Sequence, residues 1–184
     1  MSSSTGSIPA HLLAATLGFL ATAVDGDENV ARHDLQTLAG PVIAERVLDG
    51  LAEPVAIEFL PDGRALVAQR KAGVITLADF ATGETENITG LPSVHVKESA
   101  GIHDITLHPD FGNNGWIYLS YSEGEEHRST VALDRFRLDG ARVSEHERLF
   151  TADAYSEGLY HYAARIALKD GYVFLGIGDR EHPP

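Results

Sequence analysis

From Pro41 onward the chain is a succession of short apolar stretches separated by turn residues, and this pattern constrains its fold more than any other feature. The stretches are Val42–Leu48, Val55–Phe59, Ala65–Gln69, Val74–Ala78, Ile102–Leu107, Trp116–Tyr121, Val131–Leu138, Arg148–Thr151, Tyr162–Leu168 and Tyr172–Ile177. Glu53-Pro54, Pro61-Asp62-Gly63 and Ala72-Gly73 punctuate the early ones. Strands of this length, with Pro, Gly and Asp between them, predict an all-β architecture. No segment after residue 41 sustains a helical period. Trp116–Tyr121 and Tyr172–Leu175 carry bulky side chains at successive positions. Both faces of such strands are expected to be covered, as in stacked sheets and unlike a one-sided sheet.

A weak internal repeat points the same way. Phe59-Leu60-Pro61-Asp62-Gly63, Leu107-His108-Pro109-Asp110-Phe111 and Leu168-Lys169-Asp170-Gly171 each precede a strand, with Asp-to-Asp intervals of 48 and 60 residues. A four-stranded propeller blade repeats every ~40–50 residues, and loop insertions lengthen it. In these turns Pro fixes φ while Asp and Gly close the bend, so His108 is expected to brace its turn. The strands amount to roughly two and a half to three blades, whereas propellers have about 4–8. Residues 41–184 are therefore expected to be the N-terminal portion of a β-propeller, on an incomplete chain.

Residues 1–40 read differently. An apolar run, Leu12–Val24, ends in Ala21-Thr22-Ala23, resembling the h-region and cleavage site of a secretory signal. No Lys or Arg precedes Arg32, so the basic n-region is missing. The run is too short to span a membrane comfortably. Residues 25–40 read as a polar linker, and a periplasmic or secreted location is expected. The net charge of −13 disfavours binding to phosphate backbones, so no nucleic-acid partner is expected. The absence of Cys removes disulfides, thiolate chemistry and Cys-ligated metals.

Most candidate chemistry is weak. The nine histidines contain no His-Glu-x-x-His, and the spacing of His103 and His108 is not a recurrent zinc pattern. His127 and His146 are expected to be solvated, as is the acidic run Glu123-Gly124-Glu125-Glu126 at a hairpin tip. Gly176-Ile177-Gly178 lacks the third Gly and the helix of a dinucleotide site. No metal ligand set is expected within this chain.

Three segments together resemble the glucose/sorbosone dehydrogenase family, whose members include soluble quinoproteins that use pyrroloquinoline quinone (PQQ). The first runs from Gly50 through Glu53-Pro54, Phe59-Leu60-Pro61-Asp62-Gly63 and Gln69-Arg70 to Gly73-Val74-Ile75. The second is Ala100-Gly101-Ile102-His103-Asp104-Ile105-Thr106-Leu107-His108-Pro109-Asp110-Phe111, followed by Gly115–Tyr121. The third is Tyr160-His161-Tyr162-Ala163-Ala164-Arg165-Ile166, then Gly176-Ile177-Gly178-Asp179-Arg180. The resemblance covers residues 42–184. It implies a six-bladed propeller that oxidises a sugar or polyol hydroxyl, with hydride transfer to PQQ. By matching positions, His161 would be the general base and Asp179 would orient it or the substrate. Arg165, Ser99 and Arg180 would contact substrate or cofactor. Calcium and the groups that clamp PQQ would come from beyond Pro184, and the electron acceptor is unspecified.

The sequence departs from the family pattern at informative places. Ser99 stands where family members carry Gln, Tyr160 where they carry Asp or Asn, and Ala163 and Ala164 where they carry Gly or Ser. A neutral imidazole can take a hydroxyl proton near pH 7, so the implied base is chemically reasonable. The expected function is a PQQ-dependent sugar or polyol dehydrogenase. The alternative is a non-catalytic binding or scaffold propeller of an exported protein, with a propeller lactonase as a weaker third reading.

Overall fold

The computed structural model describes residues 32–125 and 127–181, which fall into two units divided after Glu45. The first contains one antiparallel hairpin, β1 (Arg32–Thr37) and β2 (Gly40–Glu45), with Arg32 opposite Glu45 and Thr37 opposite Gly40. The Thr37 hydroxyl donates to the Gly40 carbonyl at 2.7 Å across the two-residue turn. Residues 32–37, expected as linker, are thus a strand. Val42–Leu48, expected as a strand, matches β2 as far as Glu45, and residues 46–48 lie outside any strand. β1 carries no run of apolar residues, and its side chains are all exposed. The leader with Ala21-Thr22-Ala23 lies outside the described residues.

The second unit is built of antiparallel meanders. One four-stranded sheet runs in order through β3 (Pro54–Phe59), β4 (Ala65–Gln69), β5 (Val74–Ala78) and β6 (Thr85–Asn87). The next runs through β7 (Ile102–Leu107), β8 (Trp116–Glu125), β9 (Arg128–Asp139) and β10 (Arg142–Thr151). A two-stranded sheet, β11 (Ala163–Lys169) and β12 (Tyr172–Ile177), follows. Two complete meanders and the start of a third agree with the expected two and a half blades. One helical turn, α1 (Phe111–Asn114), closes on Gly115 at φ +66°.

The central strands β4 and β5 are almost wholly buried, as are the first seven residues of β8. Leu66, Ile75 and Leu119 from these strands, with Ile105 from β7 and Phe136 from β9, form one core between the two complete sheets. Gly101 permits the close approach, since a Cβ there would lie 2.3 Å from the Arg70 carbonyl oxygen. A smaller core of Ala100, Val131, Ala152, Tyr162 and Ala164 seats the third sheet on the second. The Ser120 hydroxyl on β8 ties the same sheets by donating to the Ala164 carbonyl on β11 at 2.5 Å, while Thr130 donates to the Ala152 carbonyl at 2.8 Å and holds the chain leaving β10 against β9.

Three expectations need correction. β12 is exposed along most of its length, with Tyr172 and Phe174 at 70% and 57% exposure, where both faces were expected to be covered. Double burial needs a sheet packed on each side, and among the described residues β12 pairs only with β11. β8, β9 and β10 extend beyond the apolar stretches because long hairpin arms continue through polar residues. His146 is not simply solvated: its Nε2 lies 2.7 Å from Asp134 Oδ2, and its ring stacks on Phe136 at 4.7 Å. His108 does brace its turn, because its Nδ1 accepts the Asp110 N–H at 3.0 Å.

Candidate functional site

The β11–β12 hairpin brings together residues eighteen apart in sequence. Ala163 pairs with Ile177, and beyond the ladder the Gly178 N–H donates to the Tyr162 carbonyl at 3.0 Å. The backbones are so close that a Cβ on Gly178 would sit 2.0 Å from the His161 carbonyl oxygen. His161, Ala163 and Ala164 all adopt left-handed backbone, at φ 55°, 56° and 67°. Such conformations cost non-glycine residues about 1–2 kcal/mol each and cluster at functional sites. Here they lift the chain out of β11 just where His161 is presented. A register shift between Ala163 and Ile166 marks the same irregularity.

His161 Nδ1 lies 2.8 Å from Asp179 Oδ1. Because an ionised carboxylate can only accept, Nδ1 carries the proton and Nε2 keeps its lone pair. The pair is open to solvent on one side, with side-chain exposures of 60% and 47%. Its consequence is therefore a fixed tautomer and ring orientation more than stability. Asp179 Oδ1 also accepts the Glu181 N–H at 3.1 Å.

Beside this pair is a cavity of about 250 Å³ whose wall includes Arg70, Ser99, His103, His161, Tyr162 and Arg165. Arg165 donates to Asp104 Oδ1 at 3.1 Å and to the Val55 carbonyl at 2.9 Å, linking all three sheets. Asp104 is buried, and its Oδ2 accepts the Ile166 N–H at 2.8 Å. This carboxylate anchors the first regular residues after the strained segment. Arg70 is ion-paired to Glu53 and donates to the Ser99 carbonyl at 3.4 Å.

Of the sequence-predicted residues, the structure brings His161, Arg165 and Ser99 to one cavity, with Asp179 on His161. The Ser99 hydroxyl is committed to the Leu159 carbonyl at 2.8 Å. Arg180 is elsewhere. It is 1% exposed, with its guanidinium 3.5 Å from the Tyr162 ring centroid and donating to the carbonyls of Gly158, at 2.7 Å, and Tyr160. It props the His161 segment from beneath and does not line the cavity.

Sequence reasoning passed over Arg70, His103 and Asp104. His103 was weighed only as a zinc ligand, yet it is a buried wall residue stacked on Tyr162 at 5.1 Å. Burial, together with the nearby Arg70, Arg180 and Arg165 charges, pushes its imidazole down to about 4. An Arg or Asp inside a strand pattern gives no sign of its partner on another sheet.

The family model for glucose/sorbosone dehydrogenase matches residues 51–184. Aldose sugar dehydrogenase YliI of Escherichia coli is 28% identical over 147 residues, covering 78% of this chain and 40% of that protein. The apo structure of the soluble aldose sugar dehydrogenase from Escherichia coli is similar at 26% identity and a TM-score of 0.68, covering 83% of this chain and 42% of that one. The PQQ-bound aldose sugar dehydrogenase of Streptomyces coelicolor shares the fold at 22% identity and a TM-score of 0.62, covering 83% and 43%. The chain thus spans less than half the length of these relatives, and its sheets are the corresponding part of a β-propeller. With the His161–Asp179 hairpin in the matched region, the chain belongs to the glucose/sorbosone dehydrogenase family.

Proposed function

We propose that the full protein containing these residues oxidises a sugar or polyol hydroxyl, with PQQ as cofactor and His161 as proton acceptor. The observation that carries this reading is the 2.8 Å contact between His161 Nδ1 and Asp179 Oδ1. It leaves Nε2 as a lone pair able to receive the hydroxyl proton as the C–H bond is oxidised. Asp179 holds the imidazole in that tautomer and stabilises the imidazolium once the proton has arrived. Arg165, fixed by Asp104, and Ser99 form the wall beside it. The bound quinone supplies the hydride acceptor.

The wall fits part of such a cofactor. Arg70, Arg165 and His103 are hydrogen-bond donors or acceptors suited to an anionic, oxygen-rich ring system. Among the described residues no group of three or more His, Cys, Asp or Glu could hold a metal, so no step here is assigned to calcium. An exported, periplasmic location is part of the proposal. No helix of the described residues is long and apolar enough to cross a membrane.

A second reading, a non-catalytic propeller domain, is favoured by the Ser99 hydroxyl being consumed by Leu159. Loading the full-length protein with PQQ and assaying dye-linked oxidation of aldoses and polyols separates the two. Stoichiometric PQQ binding with turnover is expected. A folded protein that binds no PQQ would leave the scaffold reading.

A further inference from the structure

His103 occupies an unusual place in its strand. Ile102 pairs with Tyr121 and Asp104 with Ser120, so His103 is the extra residue of a β-bulge. Bulges re-aim side chains and are over-represented beside active sites. This one sends the ring against Tyr162 and into the wall of the cavity that also holds His161.

The hydrogen bonds decide the tautomer. His103 Nε2 lies 2.7 Å from the Ser122 hydroxyl oxygen. Ser122 is completely buried, and its oxygen already accepts the Gly101 N–H at 3.4 Å. Among the described residues the one acceptor available to the Ser122 hydroxyl proton is His103 Nε2. Nε2 is then unprotonated, and the ring proton of the neutral imidazole sits on Nδ1. Nδ1 has no hydrogen-bond partner among the described residues. The ring stays neutral at ordinary pH because it is buried among arginines. Elsewhere in the wall the Ser99 hydroxyl donates to Leu159, and Arg165 donates to Asp104 and Val55. Arg70 pairs with Glu53 and donates to the Ser99 carbonyl, with its Nε left without a hydrogen-bond partner among the described residues.

We infer that His103 Nδ1–H is a hydrogen-bond donor to an oxygen of the ligand bound beside His161, making it a second ligand-contacting imidazole of the site. The inference rests on the proposed function. The acceptor is a neutral or partly negative oxygen, and either the quinone cofactor or the sugar can offer one. His161 would then receive a proton while His103 donates a hydrogen bond without changing charge.

The test uses the full-length protein with ¹⁵N-labelled histidine, His103 being assigned by its loss in His103→Asn. Long-range ¹H–¹⁵N spectra should give a neutral Nδ1–H tautomer at pH 6–7. The apo-protein is then titrated with PQQ alone, and separately with D-glucose alone. One arm should shift the His103 Nδ1–H resonance, and that arm identifies the source of the oxygen. His103→Leu should weaken the same ligand roughly tenfold, and His103→Asn, which keeps an N–H near the Nδ1 position, should restore most of it. An Nε2–H tautomer would overturn the inference, as would a ligand that moves the His161 signals and leaves His103 still. So would a folded His103→Leu protein with unchanged affinity. If His103→Leu does not fold, the wild-type spectra still decide. Binding of neither probe, with both imidazoles unmoved, overturns the proposed function as well.

Discussion

Two imidazoles share one cavity in contrasting surroundings. His161 is half open to solvent and oriented by a carboxylate, which suits a group that must gain a proton. His103 is buried among positive charges, which suits a group that must not. The second condition has a cost at low pH. With a folded value of about 4 against 6.5 for the free side chain, only the unfolded chain takes up a proton between those limits. The contribution to stability is complete above pH 6.5 and is lost as pH falls toward 4, by about 3 kcal/mol in total. Urea midpoints measured at pH 7 and pH 4.5 should differ more in the wild type than in His103→Asn. Equal differences would mean that His103 already titrates normally in the folded state.

At the scale of elements, the β11–β12 hairpin is the device that makes the site. Its ladder sets the register, its left-handed segment turns His161 outward, and Gly178 lets the two ends touch. Gly178→Ala would drive a methyl group into the His161 carbonyl, with only 2.0 Å available. The backbone must give, so stability should fall by about 1–3 kcal/mol and turnover should fall further than stability explains. His108→Ala makes the contrasting case. Its Nδ1 braces a turn between β7 and α1, so about 1 kcal/mol should go with turnover per folded molecule unchanged. Denaturation and active-site-normalised assays on the two variants would check both. Part of this hairpin could be read from the sequence: the apolar runs and the Asp170-Gly171 turn are local patterns, whereas His161, Arg165 and Asp179 stand out through the family resemblance and not through their spacing. Asp104 could not, because its partners Arg165 and Ile166 lie about sixty residues away, on another sheet. β6 was missed because its three residues, Thr85–Asn87, are all exposed and polar.

At the scale of the molecule, the meander pattern predicted sheets correctly but overstated how far β12 is covered. Tyr172 and Phe174 on the third sheet, and Ile57 and Phe59 on the first, present large apolar side chains to solvent. Exposed apolar sheet faces of this kind drive association. The 184-residue chain on its own should therefore self-associate at micromolar concentration, and Phe174→Lys with Ile57→Lys should reduce this. Sedimentation of both proteins would show it. A monodisperse wild-type monomer with a sharp unfolding transition would contradict the expectation.

The role proposed for His161, oriented by Asp179, is to receive the proton of the oxidised hydroxyl. It is tested most directly by His161→Ala in the full-length, PQQ-loaded protein, measuring dye-linked sugar oxidation and PQQ affinity side by side. A general base contributes about 10²–10⁴-fold, so turnover should fall at least about a hundredfold, with PQQ affinity changed only a few-fold. A variant that binds PQQ and retains full activity would mean that His161 does not take the proton.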